Sequence, residues 1–326
     1  SFPSELQSLV TAAHARLAAS HVVERLWAQD HRLWKQNPTD IANRLGWLTI
    51  IDGMKNRTEE LRAFANSVKD RGIRDVVLLG MGGSSLGPEV LRASFGSSRS
   101  FPRLWVLDST IPGWVRQVTQ AIDPARSLFI LASKSGGTIE VMSLFAHFWE
   151  LVHQTPGHRG GEQFLAITDP GTGLEKLAAE HQFWRIFTSP PDIGGRYSVL
   201  SYFGLVPAAL MAIDVAQLLA RAAMMSRVCH IQSPLEHNPG ADLGATMAAL
   251  AQAGRNKITL IASPQITAFG LWAEQLLAES TGKEGTGLIP VANEPIVSPS
   301  AYGQDRFFVY LRLKNDQNRL SDRQVA

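Results

Sequence analysis

From about residue 70 onward, short apolar runs alternate with longer stretches of helical period, and this alternation constrains the fold more than any other feature of the sequence. The runs are Val76 to Leu79, Leu104 to Leu107, Leu128 to Ala132, Phe164 to Ile167, Ile258 to Ile261 and Phe307 to Leu313. Each of the first five is followed by a small or polar turn. Strands that alternate with helices predict βαβ units, because a parallel pair needs a crossover long enough to return the chain. The expected class is therefore α/β, with parallel sheets flanked by helices in three layers.

A helix-rich zone from about Tyr197 to Leu250 separates the last two strand candidates from the others, which predicts two α/β lobes. The prolines and glycine of Ser233-Pro234-Leu235-Glu236-His237-Asn238-Pro239-Gly240 make it the best linker candidate. Before residue 70, Ile41, Leu45, Leu48 and Ile50 or Ile51 recur at helical steps after Pro38-Thr39-Asp40. The expected organisation is a helical lead-in (1–70), a first lobe (71–225), and a linker with a partial second lobe (226–326).

Composition narrows the function classes. The 326 residues are 45% apolar and 18% charged, which fits a soluble globular chain of roughly two domains. Lys plus Arg number 31 against 29 Asp plus Glu, and a dispersed net charge of +2 argues against nucleic-acid or membrane partners and for a small ligand. Cys229 is the single cysteine, so no internal disulfide can form, and a reducing cytoplasm fits best. The most apolar long stretch, Val206 to Met225, is interrupted by Asp214, Gln217 and Arg221 and is not expected to span a bilayer. Ser1 is not an initiator Met, and Ser321-Asp322-Arg323-Gln324 has the form of a helix start just before Ala326. The expectation is a piece of a longer polypeptide.

Four places could carry chemistry. Gly80-Met81-Gly82-Gly83-Ser84-Ser85-Leu86-Gly87-Pro88 follows a strand, where glycines let a ligand approach the backbone at a helix N-terminus. A dinucleotide fingerprint fits poorly, since Ser85 holds the place of the third glycine and Asp108 lies beyond the usual ~20-residue spacing. A plain structural turn stays open. Ser133-Lys134-Ser135-Gly136-Gly137-Thr138 offers three hydroxyls, an ammonium and helix N-terminal N–H groups to a phosphate monoester, against ordinary N-capping by one hydroxyl.

In Asp192-Ile193-Gly194-Gly195-Arg196-Tyr197-Ser198, an Arg on a Gly-Gly turn can be projected into a cleft to stabilise an oxyanion, or can simply lie on the surface. Finally, a helix from Ser263-Pro264 to about Gly282 aligns Ala268, Leu271, Gln275 and Glu279 on one stripe. Glu279 sits in its last turn, where the helix dipole raises a carboxylate pKa toward the range of a general base. Pairing of a solvated Glu279 with Lys283 is the alternative.

Together these motifs, in this order, resemble the glucose-6-phosphate isomerase family over about Arg74 to Leu313. Gly285-Thr286-Gly287-Leu288-Ile289-Pro290-Val291 and the region Trp27 to Trp47 look most like the isomerase portion of bacterial transaldolase/glucose-6-phosphate isomerase fusions. The resemblance implies two sugar-isomerase (SIS) lobes, the second incomplete, around an active site at a homodimer interface of the full-length protein. It implies interconversion of glucose 6-phosphate and fructose 6-phosphate in cytoplasmic glycolysis and gluconeogenesis, with no cofactor and no metal. On matching positions it assigns Ser133, Lys134, Ser135 and Thr138 to the phosphate, Gly83 and Ser84 to the neighbourhood of the sugar, and Gln275 to holding the sugar or phosphate end. Arg196 would stabilise a cis-enediol intermediate and Glu279 would move the proton between C2 and C1.

Three departures from the family pattern stand out. Gly137 replaces the usual Thr, Arg306 falls where the family uses a His for ring opening, and the family's C-terminal Lys lies beyond Ala326. Two other classes remain in view. One is a non-catalytic SIS module that senses a sugar phosphate, which would need the Ser133 to Thr138 turn but not Arg196 and Glu279. The other is a dinucleotide-dependent oxidoreductase.

Overall fold

The structure, a computed structural model, describes residues 4–325 apart from 232 and 234. In chain order, helices α1 (Ser4–Ala19) and α2 (Val22–Trp27) lead through short 3-10 turns to α3 (Ile50–Lys55) and α4 (Thr58–Asp70). Strictly alternating elements follow: β1 (Asp75–Gly80), α5 (Leu86–Phe95), β2 (Arg103–Leu107), α6 (Pro112–Ala121), β3 (Ser127–Ala132), α7 (Ile139–His153), β4 (Phe164–Thr168), α8 (Gly173–Glu180) and β5 (Arg185–Thr188). The chain continues through α9 (Tyr202–Leu210), α10 (Val215–Val228), α11 (Pro239–Gln252), β6 (Lys257–Ala262), α12 (Phe269–Thr281), β7 (Ile289–Ala292), β8 (Arg306–Leu311) and α13 (Arg319–Val325).

These elements form two compact units, one of Asn43–Leu219 and one joining Ser1–Ala42 to Ala220–Ala326. That division departs from the expected 1–70, 71–225 and 226–326. Residues 43–70 belong with the first sheet because Leu61, Phe64, Ala65 and Val68 of α4 are buried in its core. Residues 1–42 belong with the C-terminal segment, where Val10 and Ala13 of α1 pack on Ala245 and Ala249 of α11. The boundary falls inside α10 and not at 233–240. Pro234 lies outside the described residues, while Pro239 opens α11 at a position whose N–H would lack a helical partner anyway.

In the first unit five parallel strands pair in the order β2-β1-β3-β4-β5. Strand periodicity sends alternate residues to opposite faces. Val76, Leu78, Leu128, Ile130 and Leu165 meet α4, α5 and α9 on one face, whereas Val77, Leu79, Phe129, Leu131 and Phe164 meet α6, α7 and α8 on the other. This sheet is the expected three-layer arrangement, and its central strands are buried on both faces, which explains why they read as continuous apolar runs.

The second unit holds a parallel sheet of order β7-β6-β8 with α12 packed on it; a Cβ on Gly270 would come within 2.8 Å of the Ala292 Cβ. Strands β5 and β7 are absent from the sequence expectation. Both have only four residues; β5 opens on Arg185 and β7 carries Pro290, which its edge position tolerates, so neither shows the apolar run of the other edge strands, β2 and β8.

Other local expectations shift. The stripe Ile41 to Ile50 is not one helix: Gly46 N–H donates to the Asp192 carbonyl (2.9 Å) and Leu45 bridges Ile193, which breaks the stretch into 3-10 turns before α3. Val206 to Met225 is split between α9 and α10 by a turn with Ala212 at φ +62°, and no described helix is long and apolar enough to cross a membrane. Helix α13 begins at Arg319, two residues before the expected Ser321 cap.

Candidate active site

Strand order identifies where a ligand would sit in the first unit. After β1 the chain turns to α5 on one face of the sheet, and after the adjacent β3 it turns to α7 on the opposite face. Loops that leave neighbouring strands in opposite directions open a crevice at the C-terminal strand ends. Gly80 and Ala132 are the paired last residues of these strands, and the two singled-out turns, 80–88 and 133–138, follow directly.

The β1 turn is tight and partly spoken for. Gly82 takes φ +53°, Ser84 is buried at 8% exposure, and Ser85 is fully buried with its hydroxyl donating to the Gly82 carbonyl (3.1 Å). A Cβ on Gly83 would lie 2.3 Å from the carbonyl carbon and oxygen of Gly195 and 2.7 Å from the Arg196 nitrogen. The backbone beside Gly83 is therefore this protein's own, where a dinucleotide fingerprint would reserve the space for a pyrophosphate. Asp108, just past β2, has its carboxyl held above the ordinary range by loss of solvent, with the Glu89 charge adding to the effect.

The close approach brings Arg196 to the β1 turn. Ser198 fastens the contact, its hydroxyl donating to the Gly195 carbonyl at 2.6 Å and reaching the Gly83 carbonyl at 3.4 Å. The Arg196 guanidinium lies 5.2 Å from the ring centre of Tyr197, which in turn stacks on Trp47.

The β3 turn divides its labour. Ser133 is only 3% exposed; its Oγ accepts the Gly136 N–H (3.2 Å) and shares a hydrogen bond with Thr138 Oγ1 (2.8 Å), so it shapes the turn from beneath. Gly136 at φ +70° completes the turn, while Ser135 and Gly137 are exposed at the start of α7. Lys134 is ion-paired to Asp169 of the turn after β4 and also donates to the Pro191 carbonyl (3.1 Å). Pro191 O accepts Arg44 Nη1 as well (3.1 Å).

Asp169 and Arg44 are the neighbours that reading the sequence did not find. Asp169 was accessible in principle, since Thr168-Asp169-Pro170-Gly171-Thr172-Gly173 repeats the plan of strand, hydroxyl-rich turn and helix. Arg44 comes from a part of the chain with no local sign of a site. The turns after β1, β3 and β4 and the segment 189–198 thus meet in one unit, bringing together Gly83, Ser84, Ser133, Lys134, Ser135, Thr138 and Arg196.

Gln275 and Glu279 belong to the second unit, on α12. Gln275 Oε1 is buried and has no hydrogen-bond partner among the described residues. Glu279 lies in the last turn, where its backbone carbonyl accepts Lys283 Nζ (2.9 Å). Arg306 opens β8 and bonds both Glu294 Oε2 and Thr259 Oγ1 at 2.5 Å, with its guanidinium 5.1 Å from the Tyr302 ring centre.

A parallel α/β sheet with hydroxyl- and glycine-rich turns at its switch point places the first unit among the doubly wound α/β proteins. The fold is similar to that of a crystal structure of a glucose-6-phosphate isomerase from Chlamydia trachomatis (TM-score 0.73, 18% identity, 87% of this chain and 61% of that one). It is also similar to a hypothetical protein from Thermus thermophilus (TM-score 0.72, 26% identity, 88% and 67%). The chain belongs to the phosphoglucose isomerase family, whose model matches residues 17–298. Among curated relatives it is 34% identical over 237 residues to a glucose-6-phosphate isomerase from Rubrobacter xylanophilus, covering 69% of this chain and 54% of that protein. A relative of the same description from Carboxydothermus hydrogenoformans is 30% identical over 234 residues, covering 69% and 50%. The chain spans about half the length of these relatives.

Proposed function

We propose that this chain is the part of an aldose-ketose isomerase that binds glucose 6-phosphate and fructose 6-phosphate and interconverts them through a cis-enediol. The observation that carries this reading is the turn 133–138, hydroxyl-rich and at a helix N-terminus, placed beside the glycine turn at the switch point of the sheet. Ser135 and Thr138, with the first N–H groups of α7 and the Lys134 ammonium, would take the phosphate, and Ser133 would hold Thr138 in place. Gly83 and Ser84 would border the sugar.

Isomerisation moves one proton between adjacent carbons. Glu279 would take it from C2 and return it to C1, and the fixed charge of Arg196 would offset the negative charge that develops on the enediolate oxygen. Gln275, whose buried oxygen has no partner among the described residues, would accept a hydrogen bond from a sugar hydroxyl. Arg306 is a hydrogen-bond donor only, so in ring opening it would donate to the ring oxygen and leave proton transfer to another group.

The same reading makes the full-length protein a cytoplasmic homodimer of glycolysis and gluconeogenesis, either by itself or as the isomerase portion of a fusion with a transaldolase. In the full-length protein, Glu279→Gln should abolish solvent-deuterium exchange at C2 of fructose 6-phosphate or glucose 6-phosphate while leaving phosphate affinity nearly unchanged. Exchange retained at the wild-type rate would refute the assignment, and a sensor module without chemistry would show no exchange in the wild type either.

A further inference from the structure

The opposite edge of the first sheet carries a second concentration of charge. Arg74 precedes β1, Arg103 opens β2, and the loop 96–101 joins α5 to β2, so these groups gather at the N-terminal strand ends, away from the turns after β1 and β3. They line a cavity of about 780 Å³ together with Arg92, Arg99, Asp75 and Asp123. Four guanidinium groups around one cavity face only two carboxylates, and both carboxylates are committed. Asp75 accepts Arg103 Nε (3.0 Å) and Trp105 Nε1 (2.9 Å), while Asp123 caps the 3-10 turn before β3 through the Ala125 N–H (3.1 Å).

Arg92 is neutralised from outside the cavity by a two-pronged pair with Glu89, both bonds 2.7 Å. Arg103 is fixed between Asp75, the Ala121 carbonyl (3.1 Å) and the face of Trp105. Arg74 and Arg99 are left over: neither guanidinium has a hydrogen-bond or ion-pair partner among the described residues. The loop bearing Arg99 is held at both ends, by the Ser98 N–H on the Met211 carbonyl (3.1 Å) and by Phe101 packed against the core, and it adds three serines to the cavity.

We propose that this cavity is a binding site for a small multivalent phosphate, distinct from the turn 133–138. Two guanidinium forks lining one cavity without counter-charges can each take oxygens of a di- or triphosphate, and the serine hydroxyls add neutral donors. A carboxylate-poor, arginine-lined pocket held open by a tethered loop is arranged before the anion arrives, which lowers the ordering cost of binding. The site does not depend on the isomerase reading.

Titration calorimetry with tripolyphosphate, at constant ionic strength, tests this in three proteins: the wild type, Arg74→Gln/Arg99→Gln, and Ser135→Ala/Thr138→Val. Both arginines are exposed, so the first variant should keep its fold, which circular dichroism would verify. The expected result is a binding event that persists in the Ser135/Thr138 variant and is weakened roughly tenfold or more in the arginine variant, from two deleted charge-assisted contacts. No binding by the wild type overturns the proposal. So does an isotherm left unchanged in the arginine variant, or binding that disappears altogether in the Ser135/Thr138 variant, because the anion would then occupy only the turn after β3.

Discussion

Lys134, in the turn after β3, spends its ammonium on Asp169, in the turn after β4. The two side chains are 19% and 16% exposed, so the pair is largely removed from water and each charge depends on the other. A phosphate bound at α7, as proposed, would therefore share Lys134 with a carboxylate that repels it.

Asp169→Asn should separate these two effects. Loss of the carboxylate leaves Lys134 without its counter-charge and should lower stability by about 1–3 kcal/mol, while inorganic phosphate binds up to ~10-fold more tightly because its competitor is gone. Chemical denaturation and phosphate titration read the two quantities, and weaker phosphate binding in the variant would show that Asp169 helps to hold the anion.

Gly83→Ala should be destabilising because the new methyl would meet backbone, which cannot swing aside as a side chain can. The expected loss is about 1–3 kcal/mol, with Arg196 displaced and isomerisation impaired. Gly113→Ala is the control: nothing lies within 4 Å of its Cβ position on α6, so the protein should be unchanged or slightly more stable. Equal effects at the two positions would rule out the steric account.

Adjacent glycines in the β3 turn should respond differently. At Gly136 the backbone is left-handed and an added Cβ would lie 2.5 Å from Thr172 Cβ, whereas nothing lies within 4 Å of a Cβ on Gly137. Gly136→Ala should weaken phosphate binding and stability together, the latter by roughly 1 kcal/mol or more, and Gly137→Ala should be tolerated. A melting-temperature comparison with and without inorganic phosphate suffices.

Acid should act first on the second unit. Asp30, Asp305 and Asp322 are all held below the ordinary carboxyl value of 3.8, by hydrogen bonds chiefly from Arg32, Lys257 and Arg312 respectively. A depressed carboxyl contributes stability that is complete above the unfolded value and is lost as pH falls toward the folded one. Protection from hydrogen exchange, taken relative to the unfolded chain at the same pH, should therefore fall near α13 and the 3-10 turn after Asp30 below about pH 4, while β1 and β3 stay protected. Simultaneous loss of protection in both units would count against this.

The central strands and both glycine-bearing turns were legible because burial on two faces forces continuous apolar runs and because turn chemistry is local. Strands β5 and β7 were not: each has only four residues, β5 opens on Arg185 and β7 carries Pro290, so neither shows the apolar run that the other edge strands, β2 and β8, do. The unit boundary was hidden for a different reason. Val10 and Ala13 meet Ala245 and Ala249 across more than 200 residues, and small apolar residues on a helix carry no signal of their partner. Residues grouped within one turn could be singled out together, whereas Asp169 and Arg44 reach those turns from other strands and loops through tertiary contacts that no spacing encodes.

The pairing of α1 with α11 also orders events in time. During synthesis at the usual ~5–20 residues per second, α1 emerges roughly 10 to 50 seconds before its partner exists, an interval in which the contiguous first unit can already fold. Helix α1 spends that interval with Val10 and Ala13 uncovered, which leaves it open to capture by a chaperone.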